Sequence, residues 1–354
     1  MPRRPTPQAI RTLLAVAGDR IADSLPPRWR SSVESRTTDG GIVRFVAPDG
    51  RAAEVRAVVR RWLDTRAAAQ IGGDEPKVVV ADWLSPRTRS ILEESGLSYA
   101  DTTGNVFVAL DEPGLAIRAI GAANDPEPRR ESKVNLRGPR AWAVERTLAE
   151  VLPPYGLTEL SGALDVDAGY LSRLLTGLAD ELLIERQPRQ PIERIDWEAM
   201  LRQIANTYRL SDDNETSSWV AAAGPEQFLR DLSSSKARRW AVTGSFAANR
   251  IVSVAPPTIA VVYTDDPERL AGTLRLLPTR TGGNVVTALP YDDIVFDRTW
   301  ERDGLTFASL CQVAVDCLTG FGRMPQEGEA LLDWMRKRAP TWQAPSLSEA
   351  AALP

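Results

Sequence analysis

The pattern of apolar and polar positions across residues 138–195 predicts three short helices followed by a hairpin. The first helix begins after Gly138-Pro139 and ends before Pro153-Pro154, because proline cannot continue a helix. The second runs from Glu159 to Leu164, and we expect Thr158 to cap its N-terminus. Both helices repeat apolar residues at helical spacing: Ala141, Val144, Leu148, Val151, Leu157, Leu160 and Leu164.

A turn at Asp165-Val166-Asp167 leads into a third helix, predicted over residues 168–181. One face of this helix is apolar: Leu171, Leu174, Leu175, Leu178 and Leu182. The opposite face and its flanks carry small or hydrogen-bonding side chains: Gly169, Tyr170, Ser172, Arg173 and Thr176. A recognition helix reads base edges with its N-terminal residues, so this composition favours contact with the major groove of DNA.

The hairpin after the third helix has the composition of a wing. Residues 183–186 and 192–195 are predicted strands, joined by a polar tip over 187–191. With a trailing helix from Trp197 to Tyr208, the unit 138–210 predicts a winged helix-turn-helix. Its candidate DNA-binding residues are Arg137, Arg140, Thr158, Gly169, Tyr170, Ser172, Arg173, Thr176, Arg186, Arg189 and Arg194. The arginines outside the third helix are expected to hold phosphates.

Residues 1–123 predict an α/β domain, and residues 124–137 a linker made basic by Arg129, Arg130, Lys133 and Arg137. The pattern places a helix over 9–17, strands over 41–47, 53–59 and 77–81, a helix over 85–94, and two strands within 97–110. Glu54-Val55-Arg56 resembles the strand motif of the restriction-endonuclease-like fold, in which a carboxylate and a lysine serve Mg²⁺ chemistry. Arg56 stands at the lysine position and Asp49 lies in a turn, so we expect this domain to be inactive.

The segment from Gly96 to Asn105 predicts a turn in which Asp101 and Gly104-Asn105 suit a backbone of positive φ. A loop that contacts a ligand or another domain is the alternative interpretation of the same residues.

Residues 211–340 predict a second α/β domain, and residues 341–354 a mobile tail. Strands are expected over 240–242, 259–263, 284–289 and 294–296, and helices over 224–232, 246–251, 265–274 and 327–338, with another that begins at Leu305. Gly244-Ser245 and the later Asp265-Asp266 resemble a minimal nucleotidyltransferase, which holds Mg²⁺ on a triphosphate with two carboxylates. Adjacent carboxylates on a strand point to opposite faces, so we expect Asp266 to cap a helix instead.

Composition limits which kinds of catalytic, metal and DNA-binding site the chain can have. The 354 residues have a formal net charge of −4, 43% hydrophobic and 25% charged residues, so any DNA contact must come from a local basic patch. The absence of histidine excludes Ser-His-Asp catalysis and histidine metal sites. Cys311 and Cys317 lie in apolar surroundings, which predicts buried, reduced thiols. The sequence has no apolar run long enough for a membrane span or a signal peptide, so we expect a cytoplasmic protein. We expect it to need neither a metal nor a cofactor.

Three stretches resemble the AbiEi family of winged-helix antitoxins from type IV toxin–antitoxin systems: the segment 99–105, the winged helix that ends in Leu182-Leu183-Ile184, and residues 242–248 with the following 263–265. The resemblance implies an operator-binding repressor whose C-terminal domain neutralises a nucleotidyltransferase toxin. Typical members begin with the winged helix, whereas here about 130 residues precede it, so a regulator that senses single-stranded DNA or a nucleotide fits equally.

These observations predict a bacterial-type transcription regulator that binds a double-stranded operator as a homodimer. Two alternatives remain. One is a Mg²⁺-dependent nuclease or nucleotidyltransferase that uses Glu54 or Asp265 and Asp266. The other is a winged helix that serves protein contacts.

Overall fold

The computed structural model describes residues 6–37, 40–72, 75–127, 136–187, 190–235, 237 and 239–352. The chain divides into an N-terminal unit, Met1–Ser132 with Asp180–Leu182, and a C-terminal unit, Lys133–Ala179 with Leu183–Pro354. Each unit combines helices with a seven-stranded sheet, which confirms the predicted α/β class. Among the described residues, no helix has both the length and the apolar character needed to cross a bilayer.

The N-terminal unit is a mixed sheet with helices on both faces. Its helices are α1 (Pro7–Ser24), α2 (Thr65–Ala69) and α3 (Pro86–Glu94). Its strands are β1 (Arg30–Thr37), β2 (Gly40–Val46), β3 (Ala52–Val59), β4 (Lys77–Ala81), β5 (Ser98–Asp101), β6 (Val106–Leu110) and β7 (Leu115–Ala119). The strands lie in chain order, with β3, β4 and β5 parallel and the other neighbours antiparallel. The two parallel connections pass through α2 and α3, because parallel neighbours need a crossover.

Burial alternates along the central strand of this sheet. Val78 and Val80 pack in the cluster that α1 covers, whereas Val79 and Ala81 pack in the cluster that includes α2 and α3. The predicted strand 77–81 and the helix that begins after Ser85 are confirmed, and the Ser85 hydroxyl accepts the Thr88 backbone N–H at 3.1 Å. Two strands at the edges of the sheet, β1 and β7, are not predicted by the sequence pattern.

The C-terminal unit opens with three helices and a hairpin. The elements are α4 (Pro139–Glu150), α5 (Leu157–Leu164), α6 (Ala168–Asp180), β8 (Ile184–Arg186), β9 (Ile192–Ile195) and α7 (Trp197–Thr207). Asp196 caps α7 by accepting the Ala199 N–H at 3.0 Å. Leu201 and Ile204 of α7 and Tyr208 after it pack into the core of the following sheet, so the trailing helix joins the two parts of this unit.

The second sheet follows in the same unit. Its strands are β10 (Glu215–Val220), β11 (Trp240–Thr243), β12 (Ala260–Thr264), β13 (Leu277–Pro278), β14 (Val285–Leu289), β15 (Trp300–Arg302) and β16 (Leu305–Phe307). The strand order is β13-β10-β14-β12-β11-β16-β15, with two parallel pairs, β14–β12 and β11–β16. The helices around it are α8 (Pro225–Ser233), α9 (Gly244–Asn249), α10 (Pro267–Thr273), α11 (Leu310–Leu318), α12 (Met324–Arg338) and α13 (Leu347–Ala352).

Three local predictions for this sheet are wrong. Asp293–Phe296 is a 3-10 helix rather than a strand, because the Asp292 side chain accepts the Ile294 N–H and turns the backbone. Leu305 lies in a strand that pairs with β15 and not at the start of a helix, which begins only at Leu310. The polar stretch 211–216 predicts a loop or linker, but β10 already begins at Glu215.

The tail predicted to be mobile packs onto the start of the unit. Ala344 donates its N–H to the Glu150 carbonyl at 2.8 Å and accepts the Leu152 N–H at 2.9 Å. Leu347 is 3% exposed within the core of the three helices. These contacts fix residues that their Pro, Ala and Ser composition alone would leave mobile.

Candidate nucleic-acid interface

The turn between α5 and α6 is built by local hydrogen bonds. Asp165 ends α5 in a left-handed conformation, with φ of 50°. The Ser161 hydroxyl donates to the Val166 carbonyl at 2.6 Å, and the Asp167 carboxylate accepts the Tyr170 N–H at 2.8 Å. These bonds confirm the predicted turn and fix where α6 begins.

The two faces of α6 are the predicted ones, except that Leu182, predicted on the apolar face, lies beyond the end of the helix with φ of 55°. Leu171, Leu174, Leu175 and Leu178 are completely buried in the core that α4 and α5 share. Gly169, Arg173 and Thr176 are exposed, while Tyr170 and Ser172 are half-buried. The exposed side of α6 therefore offers a guanidinium, a hydroxyl and an uncovered backbone within about two turns, and contact with DNA stays a prediction.

Tyr170 connects the start of α6 electrostatically with α4. Burial raises the pKa of its phenol, the Glu145 carboxylate raises this pKa further, and the Arg140 guanidinium lowers it. The charge of Arg140 therefore acts on the phenol of Tyr170, another of the predicted site residues. Thr176 donates its hydroxyl to the Ser172 carbonyl at 2.9 Å, which leaves the hydroxyl oxygen able to accept a hydrogen bond.

The prediction that Thr158 caps α5 is wrong. Leu157 is already helical, and Gly156 is the N-cap with an extended backbone and no side-chain hydrogen bond. Thr158 instead lies inside the first turn with its side chain exposed. Glycine is tolerated at this position because its uncovered backbone lets water satisfy the free N–H groups.

The predicted wing is present as the antiparallel pair β8–β9, and Tyr155 adds one bridge to Ile192. Its charges are balanced, because the two strands carry Glu185 and Glu193 beside Arg186 and Arg194. Arg194 pairs with Glu185 at 3.0 Å, and both side chains are largely exposed. The described strands thus supply no excess of positive charge.

The structure describes only some of the basic residues predicted to contact phosphates. Arg137 and Arg140 are exposed at the start of α4, on either side of Gly138-Pro139. Arg189 and the linker cations Arg129, Arg130 and Lys133 lie outside the described residues.

The sequence shows only one apolar face of α4, yet the helix is buried on several sides. Arg146, 2% exposed, donates to Gln312 at 3.1 Å and also to the Ile294 carbonyl. Glu150, 6% exposed, accepts from Arg298 and Ser309. A buried ionic network therefore attaches the first helix of the three-helix unit to the following sheet. The arginine and the glutamate four residues apart in the sequence of α4 were the available signal.

The candidate catalytic residues are on different elements, with Glu54 on β3 and Asp265 and Asp266 just before α10. Glu54 and Arg56 are exposed on β3, opposite Arg44 and Ile42 of β2, so the neighbouring strand adds no carboxylate at this register. Among the described residues, no three aspartates, glutamates or cysteines are grouped closely enough to hold a metal ion.

The proposed cap at Asp266 is confirmed, because its carboxylate accepts the Arg269 N–H at 3.0 Å. Asp265 beside it is exposed. Ser245 donates to the buried carboxylate of Glu327 at 2.5 Å, a pairing that sequence reasoning missed. Cys311 and Cys317 are buried free thiols, as predicted, and burial raises the pKa of both.

The segment 101–105 forms a closed hydrogen-bonded turn. Gly104 has φ of +99°, and buried Asp101 accepts from Asn105, Thr103 and the Leu84 N–H. Arg89 donates to the Asn105 side-chain oxygen at 2.6 Å. The predicted turn is confirmed, and the Asp101 carboxylate forms hydrogen bonds with the other residues of the turn.

No protein-family model, curated protein or solved structure matches the chain.

Proposed function

We propose that the chain is a sequence-specific DNA-binding transcription regulator and that its three helices with the β8–β9 hairpin form a winged helix-turn-helix. The single observation that carries the proposal is the two-sided character of α6. One side is a closed leucine core, and the other exposes Gly169, Arg173 and Thr176 at the end where a recognition helix meets base edges.

Two arginines at the start of α4 support this interpretation. The charge of Arg140 acts on the phenol of Tyr170, and Arg137 precedes Arg140 in the chain by a few residues. Because the described wing strands are neutral in sum, phosphate contacts fall mainly to these two arginines and to Arg189 at the wing tip. An antitoxin-like repressor of the AbiEi kind and a signal-responsive regulator are both consistent with this arrangement, as is a homodimer on a palindromic operator.

In this proposal the endonuclease-like domain, residues 1–123, and the transferase-like domain, residues 211–340, have no catalytic activity. Arg44 and Ile42 face the Glu54-Val55-Arg56 strand, and Asp266 is used as a helix cap. Both observations favour a regulator over a Mg²⁺-dependent enzyme.

Arg173→Ala tests the proposal. If Arg173 makes a bidentate base contact, the variant loses about 1–3 kcal/mol of affinity for the operator and much less for random duplex. The matched control is Arg269→Ala, which removes an exposed helical arginine from α10 of the same unit and should leave both affinities unchanged. Equal loss on operator and random DNA would show that α6 does not read bases.

A further inference from the structure

A cleft of about 320 Å³ lies in the C-terminal unit where the end of α4, the sheet and the C-terminal segment meet. Its apolar wall includes Ile251, Leu310 and Trp342, and its polar wall includes Glu150, Arg298 and Ser309. This volume is at the lower end of the range for ligand sites, which suits a molecule with one ring system.

The charged groups of the cleft are held before any ligand arrives. Arg298 is 11% exposed at its side chain and donates through Nε to Glu150 and through Nη2 to Thr147 at 3.4 Å. Arg298 also has φ of 52°, a left-handed backbone that is costly for a residue with a side chain and that recurs at ligand clamps.

Two further features point to an anionic group. Arg146, whose Nε lies 3.3 Å from Glu150, is a second buried guanidinium around the same carboxylate, and it adds positive charge beside the cleft without lining it. The negative charge of Asp297 also raises the pKa of Arg146, but Asp297 is exposed, so water screens its charge. In addition, the indole N–H of Trp300, which lines the cleft, is buried without a hydrogen-bond partner in the described structure. Buried donors of this kind normally have an acceptor.

We propose that this cleft binds a small aromatic carboxylate. Its ring packs against Ile251, Leu310 and Trp342, and its carboxylate accepts from Arg298. The indole N–H of Trp300 reaches the same anion only when the ring, which stacks on Phe307 with centroids 4.3 Å apart, turns toward the cleft.

The position of the cleft connects this ligand to α4. Glu150 is the last residue of α4, and its carbonyl accepts the Ala344 N–H. A ligand that draws Arg298 away from Glu150 changes what holds the end of this helix. The consequence for DNA affinity rests on the proposed function, whereas binding itself does not.

The test is isothermal titration calorimetry of the full chain with phenylacetate, indole-3-acetate and salicylate. We expect saturable binding of at least one of them, and binding of its uncharged amide about tenfold weaker or more, because the amide loses a charge-assisted hydrogen bond. Ile251→Phe should abolish binding by filling the cleft. The control Val254→Phe should not, because Val254 is exposed and does not line the cleft.

Trp300→Phe replaces the indole with a smaller aromatic ring that has no N–H, and we expect it to weaken binding severalfold while the protein stays folded. The proposal is overturned if all three carboxylates fail to bind saturably, if the amide binds equally well, or if Ile251→Phe binds like the parent. Ligand binding with no effect on DNA affinity would keep the site and refute only its coupling to the proposed function.

Discussion

Glu145 in the middle of α4 offers a quantitative test of how the C-terminal unit is packed. The residue is 0% exposed, and neither carboxylate oxygen has a hydrogen-bond partner among the described residues. Burial raises the pKa of this carboxyl well above its ordinary value. A buried polar group without a partner costs about 1–3 kcal/mol, and an ionised one costs more.

Glu145→Met removes both oxygens and keeps an unbranched side chain with a similar helix propensity. We expect the free energy of unfolding at about pH 7 to rise by about 1–3 kcal/mol. For a unit of this size, each kcal/mol corresponds to roughly 2–4 °C in the melting temperature. Urea unfolding followed by circular dichroism measures the change, provided that the slope with urea concentration stays the same.

The stability gained by Glu145→Met should depend on pH. The Glu145 carboxyl holds its proton more tightly in the folded than in the unfolded protein, so its penalty grows as pH rises above the ordinary pKa of 4.5. The gain from Glu145→Met should therefore be larger at about pH 7 than at about pH 5.

Glu198→Met is the matched control, because this carboxylate accepts from Arg336 at 2.7 Å and from Arg202 at 3.0 Å. Burial opposes the shift, but hydrogen bonds from Arg336 and Arg202 bring the pKa of Glu198 below its ordinary value. Its stabilising contribution is present above the unfolded pKa and is lost as pH falls, so Glu198→Met should destabilise slightly at neutral pH. A destabilising Glu145→Met, or a gain that does not vary with pH, would refute the unpartnered burial of Glu145.

Three further predictions concern the core, a helix cap and the enzyme alternative. Leu174→Ala should lower the free energy of unfolding by about 2–5 kcal/mol. Leu277→Ala, at a residue 61% exposed, should change it by less than about 0.5 kcal/mol. Equal effects of the two variants in urea unfolding would contradict the assignment of the α6 core. Asp266→Ala should cost about 1 kcal/mol through loss of the cap on α10, and Asp266→Asn should restore most of it, measured in the same way. Purified protein with Mg²⁺ should cleave DNA no faster than its Glu54→Ala variant, and turnover that depends on Glu54 would favour the nuclease.

Local chemistry explains which elements could be predicted from the sequence. The strand Lys77–Ala81 is a short apolar run buried on both faces, and α3 begins at a serine cap followed by proline. The turn before α6 and the leucine face of α6 depend only on neighbouring residues. These features need no information from distant parts of the chain.

Most of the features that the sequence pattern misses depend on tertiary contacts, and β7 is the exception. β1 has the sequence RSSVESRT, with one apolar residue, and is a strand because its backbone pairs with β2. β7 does carry a signal, since Leu115 and Ile117 alternate with exposed residues. Ala344 is fixed by backbone hydrogen bonds to the end of α4, which composition does not reveal. For the same reason the cleft beside Arg298 is invisible in the sequence, because its walls come from segments that are far apart along the chain.

The most direct test of the central claim is binding of the purified protein to the DNA upstream of its own gene, compared with random duplex and single-stranded DNA over a salt series. A sequence-specific regulator should bind its upstream region about 10³-fold tighter than random duplex or more, with a difference that persists as salt rises. Equal and steeply salt-dependent binding to all duplexes would contradict base readout by α6.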